Sequence, residues 1–305
     1  MNVLEQVNAL ENGKGIQYLL DSACKIFNNP IYMIDAFYNL IAASDGPKDI
    51  YTWSELTRTG TFSLQLKEKM AKDGIFDGST NSEKPLYIAK RENWSGGLIT
   101  GHIVNKNKNW VGQITMHEYY TPFTEDSLEA YKALADKISS EIHDYDYFIK
   151  LPVLFFEDTV NKLLDKSEKN TLVHHSQAQV VRYNLENYLY VAVVSVARNN
   201  ILESVHRNRL AYFCSLLKTR CLSYRYAVYK DKIVILMSSK LKNYSEEPFL
   251  SEDDDLFEIN DLYAGVSASF EDIYQFSVYY DQAVSALENG MKSSSTKRFF
   301  VYDNA

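Results

Sequence analysis

Polar side chains alternate with apolar ones in two segments of the first half of the chain. His102 follows Thr100, and His117 follows Thr115 and Gln113, each at a spacing of two residues. Because alternate residues of a β-strand point to the same face, this spacing gathers imidazole, hydroxyl and amide groups that could bind a small polar or aromatic metabolite. The alternative is that these are ordinary exposed sheet residues. We predict a ligand site made of Tyr32, Tyr87, Thr100, His102, Gln113, Thr115 and His117.

Other residue clusters do not indicate catalysis, a metal site or a cofactor. His174 and His175 are adjacent on a predicted helix and point about 100° apart, so they do not converge on one ion. The acidic run 252–255 lacks the spacing and the glycine of a calcium loop. The three cysteines are an odd number without a CxxC pair. The sequence contains no Ser-His-Asp signature, no G-x-G-x-x-G and no P-loop, so we expect no catalytic residue, no metal and no cofactor.

The elements around the predicted site follow a recognisable order. An amphipathic helix is expected at 16–27, followed by a β-hairpin in IYMIDAFYNLIAAS and a polar, less regular region at 45–84. Further strands are expected at 85–90, 97–104 and 110–118. With LITGHIVNKNKNWVGQITM and the helical TPFTEDSLEAYKALADKISSEI that follows, this part resembles a GAF or PAS sensory domain. That resemblance implies an antiparallel sheet of five or six strands with helices.

The long helix after the last strand is predicted to begin with Thr124 as N-cap, and Glu125 and Asp126 lie at its positive end. Its apolar residues recur in steps of three and four, the spacing of a heptad seam. The seam either packs on its own sheet or joins two subunits into a homodimer, and the sequence does not choose between them. The residues of the seam are Leu128, Tyr131, Ala135, Ile138, Ile142 and Tyr145.

A second domain is predicted to begin near residue 148, because Pro152 disfavours a continuous helix. We therefore divide the chain into 1–147 and 148–305. The second part shows a buried strand YLYVAVVSVA, a helix at 201–220, a hairpin turning at Lys230-Asp231 and a further strand. A helix from Ser269 to Gly290 and a closing strand RFFVYD complete a ferredoxin-like β-α-β-β-(α)-β-α-β plan, so the expected fold class is α+β.

The segments YRYAVYKDKIVILM and YAGVSASFEDIYQFSVYYDQAVSALENG resemble the GGDEF-like domain of PucR/CdaR-type transcriptional regulators, over residues 150–305. Active diguanylate cyclases of this fold carry glycines and carboxylates on the central hairpin and a metal-binding Asp after the first strand. Here the hairpin turn is Val228-Tyr229-Lys230-Asp231-Lys232 and the strand ends Ser195-Val196-Ala197-Arg198. Because Mg²⁺ needs hard carboxylate ligands, we expect a catalytically inactive domain.

The whole chain reads as the signal-sensing and dimerising region of a transcription regulator that responds to a small molecule. The alternative is a ligand-free interaction scaffold that acts through a partner. The 305 residues suit two domains, and the sequence shows neither a membrane span nor a signal peptide, so a cytoplasmic protein is expected. A net charge of −8 disfavours direct contact with DNA. We expect such contact only through the helix-turn-helix domain of the family. That domain is absent from the sequence, which ends at Ala305. The alternative is that the chain acts alone through a protein partner.

Overall fold

The protein is described by a computed structural model that covers residues 1–72, 85–89, 96–164, 178, 181–182, 185–196, 208–214, 224–242, 257–258, 261–293 and 297–302. The chain divides into two compact units. The first unit comprises Met1–Phe155 with Thr171–Ser176, and the second comprises Phe156–Asn170 with Gln177–Ala305. The predicted domain boundary at residue 148 remains a prediction.

The first unit combines helices with one five-stranded antiparallel sheet in the order β2-β1-β5-β4-β3. Its strands are β1 (Ile31–Asp35), β2 (Leu40–Ala43), β3 (Leu86–Ile88), β4 (Leu98–Val104) and β5 (Trp110–His117). Its helices are α1 (Val3–Asn8), α2 (Ile16–Phe27), α3 (Tyr51–Thr59), α4 (Leu64–Lys72), α5 (Glu125–Glu141) and the first part of α6 (Asp146–Leu164). The predicted hairpin, the three later strands and the helix at 16–27 are therefore confirmed.

The two faces of this sheet are covered by different helices. On one face lies α5, where the Tyr131 hydroxyl donates to the Ile114 carbonyl at 2.7 Å and its ring fills the space above Gly101. On the other face, the helices α3 and α4 bring Trp53, Leu56 and Leu66 into a core with the sheet residue Tyr32. The central strand β5 is buried along its whole length, so side chains on both of its faces are enclosed.

The region at 45–84, predicted to be polar and less regular, contains two helices, α3 and α4, in the part that the structure describes. Helix α3 buries Trp53 and Leu56 three residues apart and ends at Gly60, which has a left-handed φ of 74°. The same helix also buries the polar residues Thr52 and Glu55, so its buried face is not made of apolar residues alone.

The predicted cap of α5 is confirmed, because the Thr124 hydroxyl accepts a hydrogen bond from the Ser127 amide at 3.3 Å. The helix is shorter than the predicted seam, since it ends at Glu141. Ile142 follows as its C-cap, whereas Tyr145 lies beyond it and is 41% exposed. Tyr131, Ile138 and Ile142 are fully buried within this single chain. The alternative in which the seam packs on its own unit thus has direct structural support, and the homodimer remains a prediction.

Pro152 lies inside α6, so the prediction that it interrupts the helix is wrong. A proline lacks the amide hydrogen that would bond to the carbonyl four residues earlier, here the carbonyl of Phe148. That carbonyl instead accepts a hydrogen bond from the Asn105 side-chain amide at 3.1 Å. Asn105 belongs to the β4–β5 loop, where its Oδ1 also accepts the backbone amides of Asn107 and Asn109 at 3.0 and 3.1 Å. A side chain distant in sequence thus replaces the missing helical bond.

The second unit contains a mixed five-stranded sheet in the order β10-β9-β6-β8-β7. Its strands are β6 (Tyr188–Val196), β7 (Tyr224–Tyr229), β8 (Lys232–Ser239), β9 (Leu262–Val266) and β10 (Phe299–Val301). The closing strand β10 runs parallel to β9, and all other pairs are antiparallel. The predicted tight turn at Lys230-Asp231 is confirmed, with Lys230 at φ 55°. The predicted α+β fold class is therefore confirmed.

The helix that packs on this sheet, α7 (Phe276–Lys292), differs from its prediction at both ends. Its start is preceded by a 3-10 turn at Ile273–Gln275, capped by Asp272, so Ser269 is not the N-cap. The helix continues past Gly290, where a Cβ atom would lie 1.9 Å from the Phe300 ring. Close packing, and not a helix end, accounts for this glycine. Of the helix predicted at 201–220, residues 208–214 are helical and the rest lies outside the described residues.

Candidate ligand site

The predicted site residues other than Tyr87 lie on the three adjacent strands β1, β5 and β4. Thr115 is paired with Tyr32 on one side and with Thr100 on the other, and Gln113 is paired with His102. Residues that pair directly across antiparallel strands point to the same face. The expected alternation therefore brings these side chains together on the face covered by α3.

A chain of hydrogen bonds links the middle of this group. The Gln113 side-chain amide donates to Thr115 Oγ1 at 3.3 Å, and the hydroxyls of Thr115 and Thr100 lie 3.5 Å apart. Thr100 also donates to the Ile114 carbonyl at 3.3 Å. Burial raises the pKa of Tyr32 to about 12, although its hydrogen bond to Thr115 acts in the opposite direction. The threonines thus form the centre of a buried polar layer.

His117 stands at the end of the polar layer beneath α3 and is 3% exposed. Its ring centroid lies 5.8 Å from that of Tyr32 and 5.9 Å from that of Trp53. Burial lowers the pKa of His117 to about 4, so the imidazole is neutral at pH 7. Its Nε2 atom has no hydrogen-bond partner among the residues that the structure describes. A buried polar atom in that position lacks the compensation that burial requires.

Two aromatic residues that the sequence did not indicate complete the surroundings of Tyr32. Trp53 of α3 meets Tyr32 edge to face at 5.7 Å, and Phe62, just after α3, does so at 6.1 Å. A usable signal was present, because Trp53, Leu56 and the terminal Gly60 have the spacing of a short capped helix. The site is therefore a polar layer on the sheet closed by an aromatic group.

His102 lies at the opposite end of the same face, where the β4–β5 loop begins. Its ring meets Trp110 edge to face at 6.1 Å, and burial lowers its pKa to about 4. Trp110 in turn lies 6.2 Å from Phe155 of α6. His102 thus shares the face of the predicted site but packs toward α6, away from His117.

Tyr87 lies on the edge strand β3 and is 44% exposed. Its ring contacts Phe123 at 6.0 Å, and its pKa is raised by burial first and by the neighbouring Glu118 carboxylate second. These contacts hold it at the sheet edge, so the structure does not bring Tyr87 into the polar layer. Its role as a ligand contact remains a prediction.

Glu55 is the buried acidic residue of α3, two positions from Trp53. Its Oε1 accepts the backbone amide of Ser63 at 3.0 Å. Burial alone would raise the pKa of Glu55, but hydrogen bonds from Ser63 and Tyr51 and the charge of Arg58 lower it overall. The Glu55 carboxylate is therefore ionised at neutral pH.

A second buried carboxylate, Asp35, organises the turn between β1 and β2. Its Oδ1 accepts the backbone amides of Phe37 and Asn39, both at 2.8 Å. Its Oδ2 accepts the Asn39 side-chain amide at 3.0 Å and the hydroxyl of Tyr147, the second residue of α6. Together with the bond from Asn105 to the Phe148 carbonyl, this contact attaches the beginning of α6 to both loops at one end of the sheet.

The positions expected to have lost cyclase chemistry lie in the second unit. Ser195 near the end of β6 is buried, and its hydroxyl donates to the Val196 carbonyl at 3.5 Å. At the hairpin turn, Asp231 pairs with Lys232 at 2.9 Å and the ring of Tyr229 meets Tyr280 at 5.8 Å. Within the described part of the chain, no group of three or more His, Cys, Asp or Glu residues is placed to hold a metal ion. His174, His175 and the run 252–255 lie outside that part.

Across the described residues, no helix is long and apolar enough to cross a membrane. No protein-family model matches the sequence, and the search of curated proteins finds no match. Among solved structures, the chain is similar to PelD 158-CT from Pseudomonas aeruginosa PAO1, with 9% identity, 87% of each chain covered and a TM-score of 0.24. A similarity at that TM-score supports no conclusion about this chain.

Proposed function

We propose that the first unit senses a small polar or aromatic molecule, and that the chain is the signal-sensing and dimerising region of a transcription regulator. The observation that carries this proposal is the polar layer of Thr100, Gln113 and Thr115, which ends in the unpartnered imidazole nitrogen of His117. Burying polar groups costs free energy, and an apolar sheet face beneath α3 would stabilise the unit more simply. Ligand binding accounts for the polar face.

The second unit is proposed to be a catalytically inactive relative of the nucleotide cyclases, as in PucR/CdaR-type regulators. Support comes from the hairpin turn, where Lys230 and Lys232 flank the single acidic residue Asp231. A lysine ammonium cannot coordinate Mg²⁺, so this turn lacks the ligands for phosphoryl transfer. In this proposal the regulator is cytoplasmic and contacts DNA only through a helix-turn-helix domain.

A sensor also needs a route by which ligand binding changes another part of the chain. Ligands shift a conformational equilibrium only if they bind its two states with different affinity. Helix α6 is a suitable responding element, because Phe155 contacts Phe37 at 5.3 Å and Trp110 at 6.2 Å, and Trp110 contacts His102 of the polar face. We propose that a bound ligand alters the position of the first turns of α6.

The ligand prediction is tested by thermal shift against a library of purines, sugar acids and amino acids. The variant Thr115→Val keeps the shape of the side chain and removes the hydroxyl that contacts Gln113 and Thr100. It should abolish or weaken any shift that the natural chain gives. Ile114→Val, on the opposite face of the same strand, is the matched control and should keep the shift. Uniformly flat shifts across the library would count against a small-molecule sensor.

Dimerisation is tested separately by light scattering at micromolar concentration. Because Tyr131 and Ile138 are covered within one chain, the dimer prediction depends mainly on the partly exposed Leu128 and on Tyr145. Leu128→Glu should therefore convert a dimer to a monomer. A natural chain that is already monomeric would remove the dimer prediction. A dimer without any ligand response would favour the alternative of an interaction scaffold.

A further inference from the structure

The polar layer also carries information about which molecules it would accept. Nε2 of His117 is buried and lacks a partner among the described residues, so a molecule at this point gains a hydrogen bond that the folded chain does not itself provide. A neutral imidazole nitrogen either donates or accepts, depending on its tautomer. A ring N–H or a ring carbonyl is therefore a suitable partner.

The groups around His117 favour a flat ring. Tyr32 and Trp53 lie 5.8 and 5.9 Å from the imidazole, and they meet each other edge to face at 5.7 Å. Aromatic rings prefer edge-to-face or offset contacts with further aromatic rings. An aliphatic ligand could not make ring-to-ring contacts of this kind with Tyr32 or Trp53.

The uncharged lining of the site disfavours an ionised ligand. The hydrogen-bonding side chains of the layer, Thr100, Gln113 and Thr115, carry no charge. An ionised ligand placed among them would lose its hydration without gaining an opposite charge.

We propose that the site binds an uncharged heteroaromatic molecule that hydrogen-bonds to Nε2 of His117 and packs against Tyr32 and Trp53. This inference rests on the proposed sensory function and narrows it to one chemical class. It also identifies His117 as the specificity-determining residue, with Tyr32 and Trp53 as the ring contacts.

The test compares ligands that share one ring and differ in charge. Calorimetric titration of the full chain at pH 7.5 would use 3-methylindole, indole-3-acetate and tryptamine, which are neutral, anionic and cationic. Hypoxanthine and inosine monophosphate form a second set, in which the ring can both donate and accept. The neutral member of at least one set should bind at least tenfold more tightly than its charged counterparts. Equal or tighter binding of the charged members would overturn the inference.

Two variants decide whether His117 provides the hydrogen bond. His117→Phe keeps an aromatic ring and removes both nitrogens, so it should weaken binding of the neutral ligand at least tenfold. His143→Phe, which changes a histidine just after α5, should leave the affinity unchanged. Circular dichroism and tryptophan emission would confirm that both variants are folded. Undiminished binding by His117→Phe would refute the assignment.

The outcomes also separate this inference from the function on which it rests. If no member of either ring set binds but the wider library yields a sugar acid or an amino acid that loses its shift in Thr115→Val, the sensor stands and the heteroaromatic assignment falls. If no compound of the library and no member of either ring set binds, both the sensor proposal and the heteroaromatic assignment are refuted.

Discussion

Replacing Asn105 with alanine should destabilise the first unit by about 3–5 kcal/mol. Asn105 is 2% exposed, and its side chain makes three hydrogen bonds, one to the Phe148 carbonyl and two from loop amides. A buried carbonyl left without a partner costs about 1–3 kcal/mol, and each lost loop bond adds roughly 1 kcal/mol. The estimate is the sum of these contributions.

Pro152→Ala provides the decisive second variant. Alanine at this position restores an amide hydrogen that can donate to the Phe148 carbonyl in the normal helical pattern. Removing Asn105 in that background no longer leaves the carbonyl unpaired. The destabilisation by Asn105→Ala should therefore be smaller by about 1–3 kcal/mol when residue 152 is alanine, which is the coupling free energy of a double-mutant cycle.

Urea unfolding followed by tryptophan fluorescence measures this cycle in the first unit. The three tryptophans of the chain are Trp53, Trp94 and Trp110, and all precede the division after Phe155. Asn107→Ala is the matched control, because only the backbone of Asn107 bonds to Asn105, and it should change stability by less than about 0.5 kcal/mol. The reasoning is refuted if Asn105→Ala costs the same free energy with proline and with alanine at position 152.

Three further predictions concern other buried contacts. Tyr147→Phe should lower the free energy of unfolding by about 1–2 kcal/mol in the same assay, because it removes a hydrogen bond to the buried Asp35 carboxylate. The Tyr147 ring itself is 45% exposed. An unchanged unfolding midpoint would contradict this prediction. The pKa of His117 is lowered from 6.5 to about 4 on folding, so the unfolded chain binds more protons in that window. The contribution of His117 to stability should therefore fall by up to about 3 kcal/mol as the pH drops from 6.5 to 4, in addition to that of His102, whose pKa is also lowered to about 4. Unfolding of His117→Phe should show a correspondingly weaker pH dependence, and an identical one would exclude His117 as the cause. Gly290→Ala should destabilise the second unit by about 1–3 kcal/mol in thermal unfolding, since a Cβ atom would lie 1.9 Å from the Phe300 ring. If the variant is instead more stable, as alanine usually makes a helix, the Phe300 ring moves aside freely and the prediction is wrong.

Much of the fold follows from local sequence signals. Alternation of polar and apolar residues located β4 and β5 and placed Thr100, His102 and Thr115 on one face, because the side-chain period of a strand is fixed by its backbone. Thr124 was identified as a cap because capping depends on residues only three positions apart. These features need no knowledge of distant contacts.

Tertiary structure decided the features that depend on residues far apart in sequence. The amide of Asn105 allows α6 to pass through Pro152, and no local pattern around the proline contains that information. The burial of Tyr131 beneath its own sheet depends on the Ile114 carbonyl and on Gly101, so a heptad spacing could not distinguish this packing from a dimer seam.

The same distinction applies to the candidate site. The sequence by itself determined which polar groups share a sheet face, because that is a property of each strand. Only the folded chain placed Trp53 of α3 against His117, buried the imidazole and left its Nε2 atom without a partner in the described structure. Burial and hydrogen bonding are set by what surrounds a side chain, and those neighbours are brought together by packing of the whole unit.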